Sequence, residues 1–227
     1  MYVPDECSPW KKVIFFVTHL SSKTSCTQVQ IPYFRRLSGA ILPFTSSRKR
    51  TVLASFVGSS TTYVKRSQLR KLLQYEGYRI VFTDAFWKDT VKSSDAIERI
   101  EAKHDILISK SIFGLCPRGH GVSSMRVVEN MMGGSIPVLI DDTMMPFGRR
   151  FDFAVYWNFN GKDSMKALDL HLRSFSSQNL SDMRTRMSHY VKTVLLSDSS
   201  WATPTALKVL PFSQYLVERY ISPLLAL

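Results

Sequence analysis

The residues best equipped for chemistry are gathered between Lys110 and Asp142, in KSIFGLCPRGHGVSSMRVVENMMGGSIPVLIDD. A glycine-containing loop that feeds a helix N-terminus presents several N–H groups and the positive end of the helix dipole in one place. That is an anion site, and a phosphate or diphosphate fits it. Here the loop runs from Arg118 through Gly119 to Ser123 and Ser124. Arg118 and Arg126 add fixed charge in a fork suited to phosphate oxygens. Glu129, at i+3 from Arg126, can line the same side of the helix. A carboxylate one turn below a diphosphate is placed to accept from ribose hydroxyls. The alternative is ordinary turn chemistry, with Arg126 and Glu129 only a solvated pair worth roughly 0.2–0.5 kcal/mol.

The elements that must position these residues read as strand, loop, helix, strand. Ser111 to Cys116 is a short apolar run of strand length, ended by Pro117 and Gly119. Ser123 or Ser124 stands where a helix needs an N-cap. Met125, Val128 and Met132 form one apolar stripe, with Arg126, Glu129 and Asn130 largely on other faces. Gly133 and Gly134 stop the helix. Ile136 to Ile140 is the next strand, closed by Asp141 and Asp142.

The pattern S-x-F-x-L-C-P-R-G-x-G-x-S-S-x-R-x-x-E-x-x-x-x-G-x-I-P-V, from Ser111 to Val138, resembles the signature of the exostosin family of glycosyltransferases, family 47. Upstream, Ser55-Phe56-Val57-Gly58 followed by Arg66 is similar to the start of the same domain in that family. Gln30-Ile31-Pro32-Tyr33 is similar to its segment between the two halves, and Leu139 to Phe147 to its proline-phenylalanine run. The resemblance implies an inverting enzyme of GT-B fold that uses a nucleotide sugar, expected to be UDP-linked, and a glycan or polysaccharide acceptor. It implies work in the Golgi membrane or lumen, and leaves room for a homo- or hetero-oligomer with related glycosyltransferases. By resemblance, Arg66, Arg118, Gly119, Ser123, Ser124 and Arg126 hold the diphosphate and Glu129 the ribose. No cofactor or metal is required, because arginines and a helix dipole can stabilise a leaving diphosphate. His120 departs from the pattern, where the family often has an acidic residue; a histidine there could tune donor choice or sense pH.

With 227 residues, 44% hydrophobic and 12% aromatic, the chain is globular, with one domain or two small ones. The expected division is a remnant of an N-terminal half with a linker over residues 1–45, then a nucleotide-sugar-binding domain with C-terminal helices over 46–227. One whole GT-B half and the tail of another lead us to expect weak or no transfer by this chain alone. A net charge of +12, with a pI near 9.8, favours polyanionic partners or is a solvated basic surface. Arg48-Lys49-Arg50 is the densest basic group. No zinc-finger or RNA-binding motif accompanies it, which leaves nucleic acid a minor alternative. Cys7, Cys26 and Cys116 include no C-x-x-C pair, so a structural zinc site is not expected. No signal or membrane-spanning segment is read in the chain.

In chain order, Lys12 to His19 reads as a strand, with His19 a polar group at its end, and Ser21 to Gln28 as loop. Arg50 to Val57 is a strand. Val64 to Tyr75 reads as a helix with Leu69, Leu72 and Leu73 inward, and Arg66 in its first turn, against the dipole. Tyr78 to Phe82 is a strand, and a helix follows from Ser93, Ser94 or Asp95 to His104 or Ile108. Phe153 to Trp157, Asp163 to Phe175, Leu180 to Leu196 and Val209 to Tyr220 complete the pattern as a strand and three helices. Alternating strand and helix gives an α/β, Rossmann-like parallel sheet with helices on both faces, the nucleotide-sugar half of a GT-B fold. The other readings are a nucleotide-binding fragment or partner subunit that transfers no sugar, and a basic nucleic-acid-binding module.

Overall fold

The computed structural model of the chain describes residues 14–17, 27–30, 50–84, 94–119, 122, 124–143, 145, 150–160 and 164–192. The chain divides into two compact units, Met1–Ser188 and His189–Leu227. His19, Cys7, Cys26, Arg48, Lys49, the expected boundary at 45/46 and the helix expected from Val209 to Tyr220 lie outside the described residues.

Strands β1 (Ile14–Val17) and β2 (Thr27–Gln30) form a small parallel pair. Strand β2 overlaps a stretch expected to be loop; TQVQ has a single apolar residue and so no apolar run to betray it. The main sheet holds β3 (Val52–Gly58), β4 (Tyr78–Phe82), β5 (Ser111–Pro117), β6 (Ile136–Ile140) and β7 (Val155–Trp157), in the order β4-β3-β5-β6-β7. Every neighbouring pair is parallel; Phe113 faces Ile136 and Pro117 faces Ile140 in register. The chain first moves from β3 out to β4, then crosses back over β3 to β5. The order reverses between β3 and β5, and in such sheets ligands bind beyond the carboxyl ends of the strands at that point.

Helices α1 (Ser94–Lys110), α2 (Met125–Met132), α3 (Ser164–Arg173) and α4 (Ser177–Tyr190) complete the fold. They lie on both faces, as β5 itself shows. Phe113 meets the ring of Phe175, beyond α3, at 5.6 Å. On the opposite face Cys116 meets Asn130 of α2 at 3.3 Å. Successive strand residues point to opposite faces, which explains the division. The core is continuous through Phe56, Phe113, Leu115, Met131, Ile136 and Leu139, all essentially solvent-free.

Two expectations need correction. Residues 64–66 form a turn and Ser67–Gln74 a 3₁₀ helix, not an α-helix from Val64. With three residues per turn, Leu69 and Leu72 stack on one buried side while Leu73 turns out, 49% exposed. On α2 the buried face carries Val127, Val128 and Met131 together with Glu129 and Asn130; Met125 is exposed. The single apolar stripe fails because α2 packs on the sheet and also has polar side chains with partners inside. Asn130 donates to the Arg126 carbonyl at 2.7 Å. It lies where a Cβ at Gly114 would have to stand, 2.0 Å away.

Arg50, the last residue of the densest basic group, is turned to backbone rather than to a partner or to solvent. Its guanidinium donates to the carbonyls of Ile108, Ser111 and Gly133 at 2.7–2.9 Å. Burial, and Arg184 beyond it, pull its pKa down to about 10. It ties the amino ends of β3 and β5 to the ends of α1 and α2. Gly77, at φ +89°, allows the turn into β4 that a side chain would strain.

Two outcomes are expected. Gly114→Ala should force Asn130 aside and cost roughly 1–3 kcal/mol in urea denaturation, and Asn130→Ala in the same chain should recover part of it. Burial pushes the Cys116 thiol up to about 12. At pH 7–8 the native protein should therefore leave Cys116 unalkylated by iodoacetamide, with modification appearing only after denaturation, as read by peptide mass mapping.

Candidate phosphate-binding site

Beyond the carboxyl ends of β3 and β5 the chain places a loop (residues 59–66), the loop after Pro117 and the start of α2. Ser124 is the N-cap of α2, extended at φ −134°, ψ 127°. Its backbone oxygen accepts from Val127 N–H at 3.1 Å. Its side chain makes no capping hydrogen bond, contrary to the expected serine cap. No acidic residue occupies the first turn either, so the N–H groups and the dipole are not offset from within the helix.

Three arginines meet around this helix end. Arg66 is 8% exposed and spends its donors on backbone: Nε on the Arg118 carbonyl at 2.7 Å, Nη1 on Ser59 at 3.2 Å, Nη2 on Pro117 at 3.3 Å. It also lies 5.5 Å over the Phe56 ring. Burial first, then the charge of Arg126, pull its pKa down to about 10. The two guanidinium groups are thus close enough for each to feel the other's charge. Arg126 donates Nε to the Val57 carbonyl at 2.6 Å and Nη1 to Glu129 Oε2. Arg118 pairs with Asp142 at 2.5 Å and lies 5.2 Å from the Tyr63 ring centre. Gly119 brings the loop against Arg66; a Cβ there would stand 3.5 Å from Nη2.

Glu129 is only 2% exposed, so it is not part of a solvated surface pair. Its Oε2 accepts from Arg126 Nη1, and His104 Nε2 of α1 stands 4.0 Å from the same oxygen. The structure thus brings together Arg66, Arg118, Gly119, Ser124, Arg126 and Glu129. Ser123, with His120 and Gly121, lies outside the described residues.

Asp84 and His104 escaped the sequence reading, and Asp141 was read only as one of the two acids that close the strand. Asp84 accepts from Ser59 at 2.5 Å and from Ser60 N–H at 2.9 and 3.0 Å, and those bonds hold its carboxyl well below the usual range. It shapes the loop after β3. Asp141, left-handed at φ 56°, receives Lys65 at 3.2 Å, Tyr63 at 3.4 Å and Phe159 N–H at 2.9 Å. Its position just after β6, at the carboxyl end of a central strand, was the available signal. His104 carried none, because nothing local in α1 points to α2. Among the described residues no group of three or more His, Cys, Asp and Glu is placed to hold a metal ion.

Residues 8–157 match the Exostosin GT47 domain. The Exostosin-1 homolog of Caenorhabditis elegans is 30% identical over 121 residues, 48% of this chain and 31% of that protein; the match thus spans less than a third of that relative's length. The domain match takes in well over half of the chain, every strand of both sheets and the whole arginine site, and the chain accordingly belongs to the exostosin GT47 family of glycosyltransferases.

Proposed function

We propose that the chain binds the nucleotide-sugar donor of an inverting glycosyl transfer, with a UDP-linked sugar as donor and a glycan or polysaccharide as acceptor. The supporting observation is the convergence of Arg66, Arg118 and Arg126 on a helix N-terminus with no side-chain cap, at the point where the strand order reverses. In this reading the diphosphate sits on the N–H groups from Ser124 onward, with Ser123 and Gly119 in the loop beside it. Arg118 leaves Asp142 for one phosphate, and Arg126 takes the other. Arg66 acts from beneath, fixing the carbonyls of Pro117 and Arg118 so that the loop keeps its shape. As the glycosidic bond to the donor breaks, negative charge grows on the leaving diphosphate. Fixed guanidinium groups and the dipole stabilise that charge in the transition state without reorganising.

Glu129 takes the ribose hydroxyls in this proposal. Its carboxylate is sealed under Arg126 in the free chain, so the contact forms as Arg126 swings onto the diphosphate. The family's setting makes the Golgi the proposed place of action, in company with related glycosyltransferases. Among the described residues no helix is long and apolar enough to cross a membrane.

Calorimetric titration with UDP and with inorganic diphosphate tests the assignment. Wild-type protein should bind both, and UDP should raise its melting temperature by mass action. Arg126→Ala should cost roughly 1.5–3 kcal/mol of affinity for either ligand, the range of a hydrogen bond to a charged group. Glu129→Gln should weaken UDP yet leave diphosphate unchanged or tighter, since it frees Arg126 while spoiling the ribose contact. Wild-type protein that binds neither ligand, or a Glu129→Gln protein weakened equally toward both, would overturn the reading.

A further inference from the structure

Of the four asparagines in the chain, only Asn179 stands in the pattern Asn-x-Ser/Thr, as Asn179-Leu180-Ser181. That triplet is the acceptor sequence for an N-linked glycan. It begins in the first turn of α4, and Asn179 and Ser181 are both exposed. Asn179 also belongs to the cap of that helix. Its backbone N–H donates to Ser176 Oγ at 3.1 Å. Its Oδ1 accepts from Ser176 N–H at 3.2 Å and from Ser176 Oγ at 2.7 Å. The pair is a capping box with asparagine in the returning position. A backbone N–H can only donate, so the cap fixes Oδ1 as its acceptor and leaves Nδ2 outside. Among the described residues nothing accepts from Nδ2.

Beside Asn179 lies a groove of about 720 Å³, along β7 at the end of the strand order. Asn179 is part of its wall, with Tyr156 and Phe175 giving ring surface and Asp152, Asp182 and Arg186 giving polar groups. Arg186 of α4 meets Asp152, before β7, at 3.0 Å. Ring surface suits the C–H faces of a pyranose, and carboxylates with a guanidinium suit its hydroxyls and amide. The volume is that of a small-ligand site. We infer that Asn179 carries an N-linked glycan whose innermost N-acetylhexosamine lies in this groove. In the attachment step Nδ2 bonds to the anomeric carbon of an oligosaccharide held on a lipid diphosphate. The bond from that carbon to the diphosphate oxygen breaks, and the lipid diphosphate leaves with its electron pair. The Nδ2 proton passes to a base of the membrane-bound oligosaccharyltransferase. The linked amide keeps its oxygen, so the capping box survives the modification. This rests on the Golgi setting proposed above, because that transferase acts on chains entering the lumen. Phe175 packs on Phe113 in the amino-terminal half of β5, so the groove stands away from the donor site at the carboxyl ends.

The test is expression of the full chain in a eukaryotic secretory host, directed to the lumen by a cleavable leader. Wild-type protein should migrate one glycan heavier than after peptide-N-glycosidase. That enzyme turns a glycosylated asparagine into aspartate, so in heavy-oxygen water it should leave a labelled aspartate at this position in the peptide map. Ser181→Ala leaves the capping box intact and should abolish the modification; Ser181→Thr should keep it. An endoglycosidase that leaves a single N-acetylglucosamine on Asn179 then reads the groove. The trimmed protein should melt roughly 2–4 °C above lumenal Ser181→Ala. Wild type and Ser181→Ala made in a bacterium, both without glycan, should melt within about 1 °C of each other, which assigns the difference to the sugar. Lumenal protein with Asn179 unmodified would overturn the inference, and a trimmed protein that melts with Ser181→Ala would overturn the seating of the sugar. Native protein confined to the cytosol would instead overturn the Golgi setting, and the inference with it.

Discussion

Helix α2 lies so close on β5 that a Cβ at Gly114 would stand 2.0 Å from the Asn130 amide. The rest of the site depends on this approach. Asn130 fills the space, touches Cys116 and donates to the Arg126 carbonyl one turn earlier. The helix axis is thereby pinned to the strand, and its first turn is carried to the carboxyl end of β5. Arg126 can then reach across to the Val57 carbonyl at the end of β3. A helix held further off would leave that guanidinium short of β3 and Glu129 open to water. The glycine is thus a spacing device for charge.

Arginine plays a second part in this molecule, distinct from its net charge of +12. Arg50 gathers carbonyls at the amino ends of the strands, and Arg66 gathers them at the carboxyl ends. Chain ends and loops leave backbone oxygens that no neighbouring strand can satisfy, and a planar five-donor group serves several at once. Lysine in either place would carry the charge but not the fork. Both groups stay cationic at neutral pH although burial lowers their pKa values to about 10. They bring positive charge inside at the cost of desolvation, which the carbonyl dipoles offset. At the carboxyl ends the same arrangement leaves the field of Arg66 pointing into the site.

Much of this was legible in the residue order. Tyr78–Phe82 and Ile136–Ile140 were bounded correctly because Gly77 precedes the first and Asp141 follows the second. The strand, loop and helix order that carries Arg118 and Arg126 was legible because it is local in the chain. The errors arose where distant elements decide. Periodicity assumed one buried face for α2, but α1 covers Glu129 through His104, and β5 covers Asn130. Hydrophobic spacing around Leu69 could not tell 3.0 from 3.6 residues per turn over so short a helix. The serine cap was a sound local inference, yet the hydroxyl of Ser124 does not turn to the helix. Cys116, which closes the apolar run expected to be a strand, is a free and buried thiol.

The strand order carries a consequence for how the chain reaches this state. Ser55 and Ser111 are hydrogen-bonded at the centre of the sheet, 56 residues apart in sequence. Strand β3 can pair early with β4, its near neighbour across the 3₁₀ helix. The other side of β3 has no partner until β5 has come back over it. Until then an apolar edge, Ala54 and Phe56 among it, stands open. Closing so long a loop is slow relative to local pairing, and open strand edges invite association with other chains. The reversal of strand order beside the proposed donor site therefore also sets a step at which a newly made chain is open to misassembly.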